Sequence, residues 1–202
     1  MRSSKQLGMR GFSLVEIAIA LVVISLLAGS LMKAFQLQLA FGRSTLAREQ
    51  LREAREALLN YAVVNQRLPC PASDSSGIAQ TSCSSTPKGW LPWQELGLPA
   101  RDAWGQTLRY AVSTAMSTSG FGLGSTGSLQ LYQGSNRMNN DEAVAFVVWS
   151  IGSDGHDASS GSNAVVTVES PSSDDLVEWV SRYLLFGKML AAGRSLSFGA
   201  GP

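Results

Sequence analysis

The chain has 202 residues, of which 45% are hydrophobic and 15% are charged, and its net charge is +1 at pH 7. This length accommodates one domain plus an extension. The near-neutral charge gives no indication of a nucleic-acid partner, which would be expected to attract an excess of Lys and Arg.

The first predicted element is an apolar helix over residues 12–32. Glu16 carries the only charge in these 21 residues. At about 1.5 Å per residue the segment is about 30 Å long, enough to cross a bilayer core. A carboxylate at the edge of a membrane helix costs a few kcal/mol. Glu16 therefore either lies among the lipid headgroups or needs a positive partner when the helix leaves the lipid.

Residues 10–16 read RGFSLVE and follow a leader containing Arg2 and Lys5. This pattern resembles the class III signal sequence of type IV pilins and type II secretion pseudopilins. The resemblance implies cleavage by a prepilin peptidase between Gly11 and Phe12 and N-methylation of Phe12. It also implies that Glu16 pairs with the N-terminal amine of a neighbouring subunit.

An ordinary secretory signal is the rival interpretation of the same segment. Its polar region would precede the apolar run, as here, but cleavage would follow the run. Residues 28–30 (Ala-Gly-Ser) are the only approximation to a small-residue cleavage site there.

The helix is predicted to continue to about residue 65, because no Pro occurs before Pro69. Small or apolar residues recur on one helical face at Ala47, Leu51, Ala54, Leu58 and Ala62. A helix of this length spans about 80 Å, so its N-terminal half must lie in a membrane or a filament core. The expected organisation is a leader (1–11), an apolar half-helix (12–32), an amphipathic half-helix (33–66) and a head domain (67–202).

Cys70 and Cys83 are separated by twelve residues rich in Ser, Thr, Pro and Gly. If the head is exported, a disulfide persists there, and closing this loop contributes roughly 3 kcal/mol. The chain contains a single His, which argues against a metal site built on the two thiols. A disulfide is the prediction.

The head is predicted to be α+β, with the long helix packed on a small antiparallel sheet. Strands are expected at 107–113, 128–132, 143–151 and 164–169, and the apolar 143–151 is expected to be a buried central strand. Residues 172–175 are expected to cap a terminal amphipathic helix that starts at Leu176, although 176–187 also fits a strand.

A turn is expected at Asp102-Ala103-Trp104-Gly105. It resembles the Asp-Pro-Trp-Gly turn of major pseudopilins, with Ala103 in place of Pro. The simpler interpretation is a turn closed by Asp102, with Trp104 in the core.

Residues 150–155 read SIGSDG and resemble the calcium loop of major pseudopilins. Calcium takes six to eight oxygen ligands. Asp154 and Asp157 are the predicted ligands, with Asn163 as a third candidate. The alternative is a polar turn between strands.

An enzyme is not predicted. His156 is the only His, and the Ser and Asp residues around it are what a turn contains. No Gly-x-Ser-x-Gly motif supports a hydrolase.

Taken together, the resemblance implies a filament subunit in the bacterial inner membrane, with a cytoplasmic N-terminus and a periplasmic head. Its partners would be prepilin peptidase and other pilin or pseudopilin subunits. Pilus, secretion pseudopilus and DNA-uptake filament remain open, although the length and many loops favour a minor subunit. The alternative is a membrane-anchored or filament-tip module that binds DNA, a surface or a secreted substrate.

Overall fold

The computed structural model describes residues 13–127, 129–139, 143–159, 164–168 and 174–196, with the backbone alone for residues 30–37 and 40. The chain divides into two compact units, residues 1–42 and 43–202. Helix α1, Leu14–Asn65, contributes to both units. The prediction of one helix from 12 to about 65 is therefore confirmed over 14–65.

The apolar half of α1 was predicted to cross a bilayer. Across the part of the chain that the structure describes, no helix is both long enough and apolar enough to span a membrane.

Helix α1 ends in a left-handed turn at Gln66, whose φ is 54°. Gln66 N–H donates to the carbonyl of Ala62 at 2.9 Å, which completes the last helical turn. Leu68 N–H then donates to the carbonyl of Met116 at 2.8 Å. The helix thus ends before Pro69 is reached, and the chain is directed into the head.

Within its described residues, the head contains short strands and three further helices. In chain order they are β1 Lys88–Trp90, α2 Trp93–Leu96, β2 Arg109–Val112, α3 Thr114–Ser117, β3 Gln130–Gln133, β4 Asn136–Arg137, β5 Val144–Ser150, β6 Val165–Val168, β7 Leu176–Ser181 and α4 Arg182–Ala191.

Two sheets organise the head. The first is antiparallel, in the order β1-β2-β5-β7, and the second has the order β4-β3-β6. Because β3 pairs with β6 in parallel, whereas β3 and β4 are antiparallel, the prediction of an antiparallel sheet is wrong for the β3–β6 pair. The α+β class is confirmed.

The four-stranded sheet is covered on both faces. On one face Tyr110 and Phe146 pack with Leu58 of α1 and Leu185 of α4. On the other face Trp149, Val147 and Ala111 pack with Leu131 and Val166 of the second sheet. Every residue of β5 is therefore buried, and this explains its nearly continuous apolar sequence.

The terminal segment corrects the sequence prediction. Residues 176–181 form strand β7 along β5, and the helix begins only at Arg182. Ser181 caps it, its hydroxyl oxygen accepting from Leu184 N–H at 3.3 Å. The predicted cap, residues 172–175, lies before β7 rather than before the helix. Residues 172–173 are outside the described residues.

Candidate functional site

The predicted processing site lies at the start of the chain. Gly11 and Phe12 are outside the described residues. Glu16 lies in the first turn of α1, where the positive end of the helix dipole favours a carboxylate.

The N-terminal part of α1 presents ten exposed large apolar side chains. Their exposed fractions range from 48% at Ile17 to 86% at Leu14. The ten are Leu14, Val15, Ile17, Ile19, Leu21, Val22, Val23, Ile24, Leu26 and Leu27. Removing one such side chain from water contributes about 1.5–3 kcal/mol. This surface strongly favours a partner that shields it from water.

The predicted disulfide between Cys70 and Cys83 is present, with the two Cα atoms 5.5 Å apart. Both cysteines are buried. The bridge closes a loop whose start is also held by the sheet, because Ala72 and Trp90 exchange hydrogen bonds of 2.9 and 3.1 Å. The loop is therefore fixed at both ends to the head.

Asp102 organises the turn that was predicted around it. Its Oδ1 accepts from Trp104 N–H at 3.0 Å and from Gln106 N–H at 2.9 Å. Its Oδ2 accepts from the Ser150 hydroxyl at 2.5 Å. Asp102 and Ser150 are both buried, so the turn is tied to the C-terminal end of β5, where the loop at 152–159 begins.

The two predicted calcium ligands are in different surroundings. Asp157 forms an ion pair with Arg109, with Oδ2 3.2 Å from Nε. The Arg109 guanidinium also lies over the Trp90 ring, 4.3 Å from its centroid. Asp157 is thus used to fix the loop to β1 and β2. Asn163, the third candidate, is outside the described residues.

Asp154 instead lies near two carboxylates that the sequence analysis assigned to a helix cap. One carboxylate oxygen from each of Asp154, Asp174 and Asp175 lies within 4.8 Å of the others. Carboxylate oxygens are the ligands that calcium prefers, so these three side chains are close enough together to serve as ligands of one ion.

The same loop also fits the polar-turn interpretation. Asp154 Oδ1 accepts from His156 N–H at 2.9 Å, and Asp157 Oδ1 accepts from Ser159 N–H at 3.0 Å. Partial burial raises the pKa of Asp174, but hydrogen bonds from Ser153 outweigh it, so that this pKa lies below its usual value. Asp174 thus stays anionic without a metal.

Sequence reasoning missed Asp174 and Asp175 because they lie about twenty residues after Asp154. The signal that connects them is strand pairing. In the antiparallel β5–β7 pair, Ser150 lies opposite Leu176. The residues that follow β5 and those that precede β7 therefore meet at one end of the sheet.

No family model, no curated protein and no solved structure matches this chain.

Proposed function

We propose that the chain is a structural subunit of a type IV pilus or a type II secretion pseudopilus. The observation that carries this proposal is the N-terminal segment. The RGFSLVE pattern at 10–16 leads into a continuous helix, whose first turn contains the Glu16 of that pattern and whose next turns expose apolar side chains.

Processing would supply a positive partner for Glu16, because residues 12–32 contain no other charged side chain. Cleavage between Gly11 and Phe12 creates an α-amino group with a usual pKa of about 7.7–8.0, which is largely cationic at neutral pH. Between packed helices a carboxylate and an ammonium must pair, because either one alone is costly to bury. Glu16 of one subunit and the methylated amine of Phe12 of the next would fix the helix register.

The basic leader favours insertion in the inner membrane with a cytoplasmic N-terminus. The head would then lie in the periplasm, where disulfides persist, and the Cys70–Cys83 bridge is compatible with that location. The apolar side chains of 14–27 would be shielded first by lipid and then by helices of neighbouring subunits in the filament.

The test is intact mass and N-terminal sequencing of the membrane-extracted chain, produced with and without a prepilin peptidase. We expect a mature chain that starts at Phe12 and carries one methyl group, formed only with the peptidase. A chain that starts at Met1 under both conditions, or that is cut after Ser30, would overturn the proposal. Gly11→Leu is a matched control, which should leave the leader attached.

A further inference from the structure

A recess of about 560 Å³ lies where helix α1 ends, between the disulfide-closed loop and the α3 segment. We call it the Arg67 recess. It is lined by Arg67, Cys70, Thr81, Ser82, Cys83, Ser84, Thr114, Ala115, Ser117, Thr118 and Ser119. Its volume lies within the range of about 300–1,000 Å³ that small-molecule sites occupy.

The lining combines one positive charge with many hydroxyl groups. Seven of these residues are Ser or Thr, Arg67 is the only ionisable one, and there is no carboxylate among them. A hydroxyl donates one hydrogen bond and accepts others, but it does not neutralise a guanidinium. The lining of the recess therefore carries one positive charge and no group that neutralises it.

Arg67 is half-buried, and its side chain forms no hydrogen bond or ion pair with any residue that the structure describes. Partial burial, and after it the charge of Glu95, raise the pKa of Tyr61 above its ordinary value, and they outweigh the positive charge of Arg67, which lowers that pKa. Tyr61 is thus neutral at physiological pH and offers no counter-charge. By contrast, the guanidinium of Arg109 has a carboxylate partner in Asp157.

Several hydroxyls of the recess are also available. Thr81, Thr114 and Ser119 have no side-chain hydrogen bond to the described residues. The Ser117 hydroxyl, in contrast, donates to the carbonyl of Thr114 at 2.9 Å. A ligand oxygen would find donors on both walls, from the loop at 81–84 and from the segment at 114–119.

The fold holds these two walls in place. The left-handed turn at Gln66 sets the direction in which Arg67 follows the helix. The carbonyl of Gln66 accepts from Gly120 N–H at 3.3 Å, and Leu68 N–H donates to Met116, so the backbone on either side of Arg67 is tied to one wall. The Cys70–Cys83 bridge holds the other. The recess is therefore preformed, which limits the entropy lost on binding.

We propose that the Arg67 recess binds a small ligand through an oxyanion, a phosphate or carboxylate group that Arg67 and the surrounding hydroxyls hold. A guanidinium pairs with such groups through two parallel hydrogen bonds. A nucleic-acid backbone is disfavoured, because it needs several cations in a row and the recess supplies one. This inference does not depend on the proposed role in a filament.

The experiment titrates the full chain, in detergent micelles, with inorganic phosphate and separately with acetate, at constant ionic strength. Backbone amide chemical shifts report where each ion binds. We expect saturable shifts confined to residues 66–70, 81–84 and 114–120. The ion that binds with the higher affinity identifies the oxyanion class. Arg67→Ala should weaken that binding by about tenfold or more, and Arg67→Lys should weaken it less.

Arg52→Ala is the matched control, since Arg52 is an exposed arginine of α1 with only a 3.8 Å contact to Glu49. It should bind the ion as the unaltered chain does. If Arg67→Ala disturbs the fold, seen as amide shifts throughout the head, Arg67→Gln replaces it. Shifts that do not saturate, or that persist unchanged when Arg67 is replaced, would overturn the proposal.

Discussion

The two units of the chain differ in how far the apolar side chains of α1 are exposed. In the second unit, residues of α1 such as Leu51 and Leu58 are at most 1% exposed, because the sheet and α4 cover them. In the first unit, Leu14 and Leu26 of the same helix are 86% and 72% exposed. Among the described residues, one part of this helix is therefore buried against the head, and the other part exposes its apolar side chains. The comparison shows which part of α1 contributes to the stability of the head.

Glu16 gives the largest expected effect. In the proposed filament, Glu16→Ala leaves a buried ammonium without its partner, which costs about 3–5 kcal/mol. We expect this variant to insert in the membrane normally but to be almost absent from filaments. The measurement is the fraction of the subunit in sheared filaments relative to the membrane fraction.

Glu49→Ala is its control, since Glu49 has a side chain that is 72% exposed on the part of α1 belonging to the head. It should be incorporated normally. Filaments that contain Glu16→Ala at the normal level would refute the pairing.

Leu58 and Leu21 test the difference between the two parts of α1 directly. Leu58→Ala removes a side chain that is 0% exposed from the core, and we expect the free energy of unfolding to fall by about 2–5 kcal/mol. Leu21 is 58% exposed, so Leu21→Ala should change the stability of the isolated chain by less than about 0.5 kcal/mol. Urea unfolding followed by Trp fluorescence measures both. Equal losses would mean that the two parts are not distinct.

Much of this fold could be predicted because its signals are local. The spacing of apolar residues and the absence of Pro before Pro69 are enough to predict α1. The nearly continuous apolar run predicts β5 as a buried strand. The disulfide follows from two cysteines that flank a loop. Each of these inferences needs only residues that are close together in the chain.

The errors come from features that depend on distant pairings. Residues 176–181 fit both a strand and a helix face, and it is pairing with β5 that makes them a strand. The parallel β3–β6 pair likewise has no local signal. Distant pairing is also why the sequence alone did not show that Asp154 lies near Asp174. Arg67 was not singled out because the hydroxyls around it come from two separate segments.

Asp157 is a carboxylate whose partner lies within the head, unlike the proposed partner of Glu16. Asp157→Asn removes the ion pair with Arg109, a partly buried contact. We expect a loss of about 1 kcal/mol in the free energy of unfolding, since a partly buried ion pair contributes only slightly more to stability than an exposed one. Thermal unfolding in calcium and in EDTA should show the same loss in both. A loss seen only with calcium would instead support Asp157 as a metal ligand.

Among the substitutions meant to change stability, Gln66→Gly has the smallest expected effect, and its sign is opposite to that of Leu58→Ala and Asp157→Asn. The φ of Gln66, 54°, lies in the left-handed region, which costs a residue with a Cβ atom about 1–2 kcal/mol. Glycine adopts this conformation without that cost, but it loses more backbone entropy on folding. We therefore expect Gln66→Gly to stabilise the chain by about 0.5–1 kcal/mol, seen as a rise in Tm.

The control for this prediction is the adjacent Asn65, the last residue of α1. Asn65 has helical geometry, and its side-chain amide donates to the carbonyl of Tyr61 at 3.0 Å. Asn65→Gly should therefore lower stability by about 0.5–1 kcal/mol. Glycine introduced at these two adjacent positions would have opposite effects on stability, because only residue 66 has a left-handed backbone conformation. If both destabilised, the end of α1 would be set by the packing of the head rather than by the backbone conformation at Gln66.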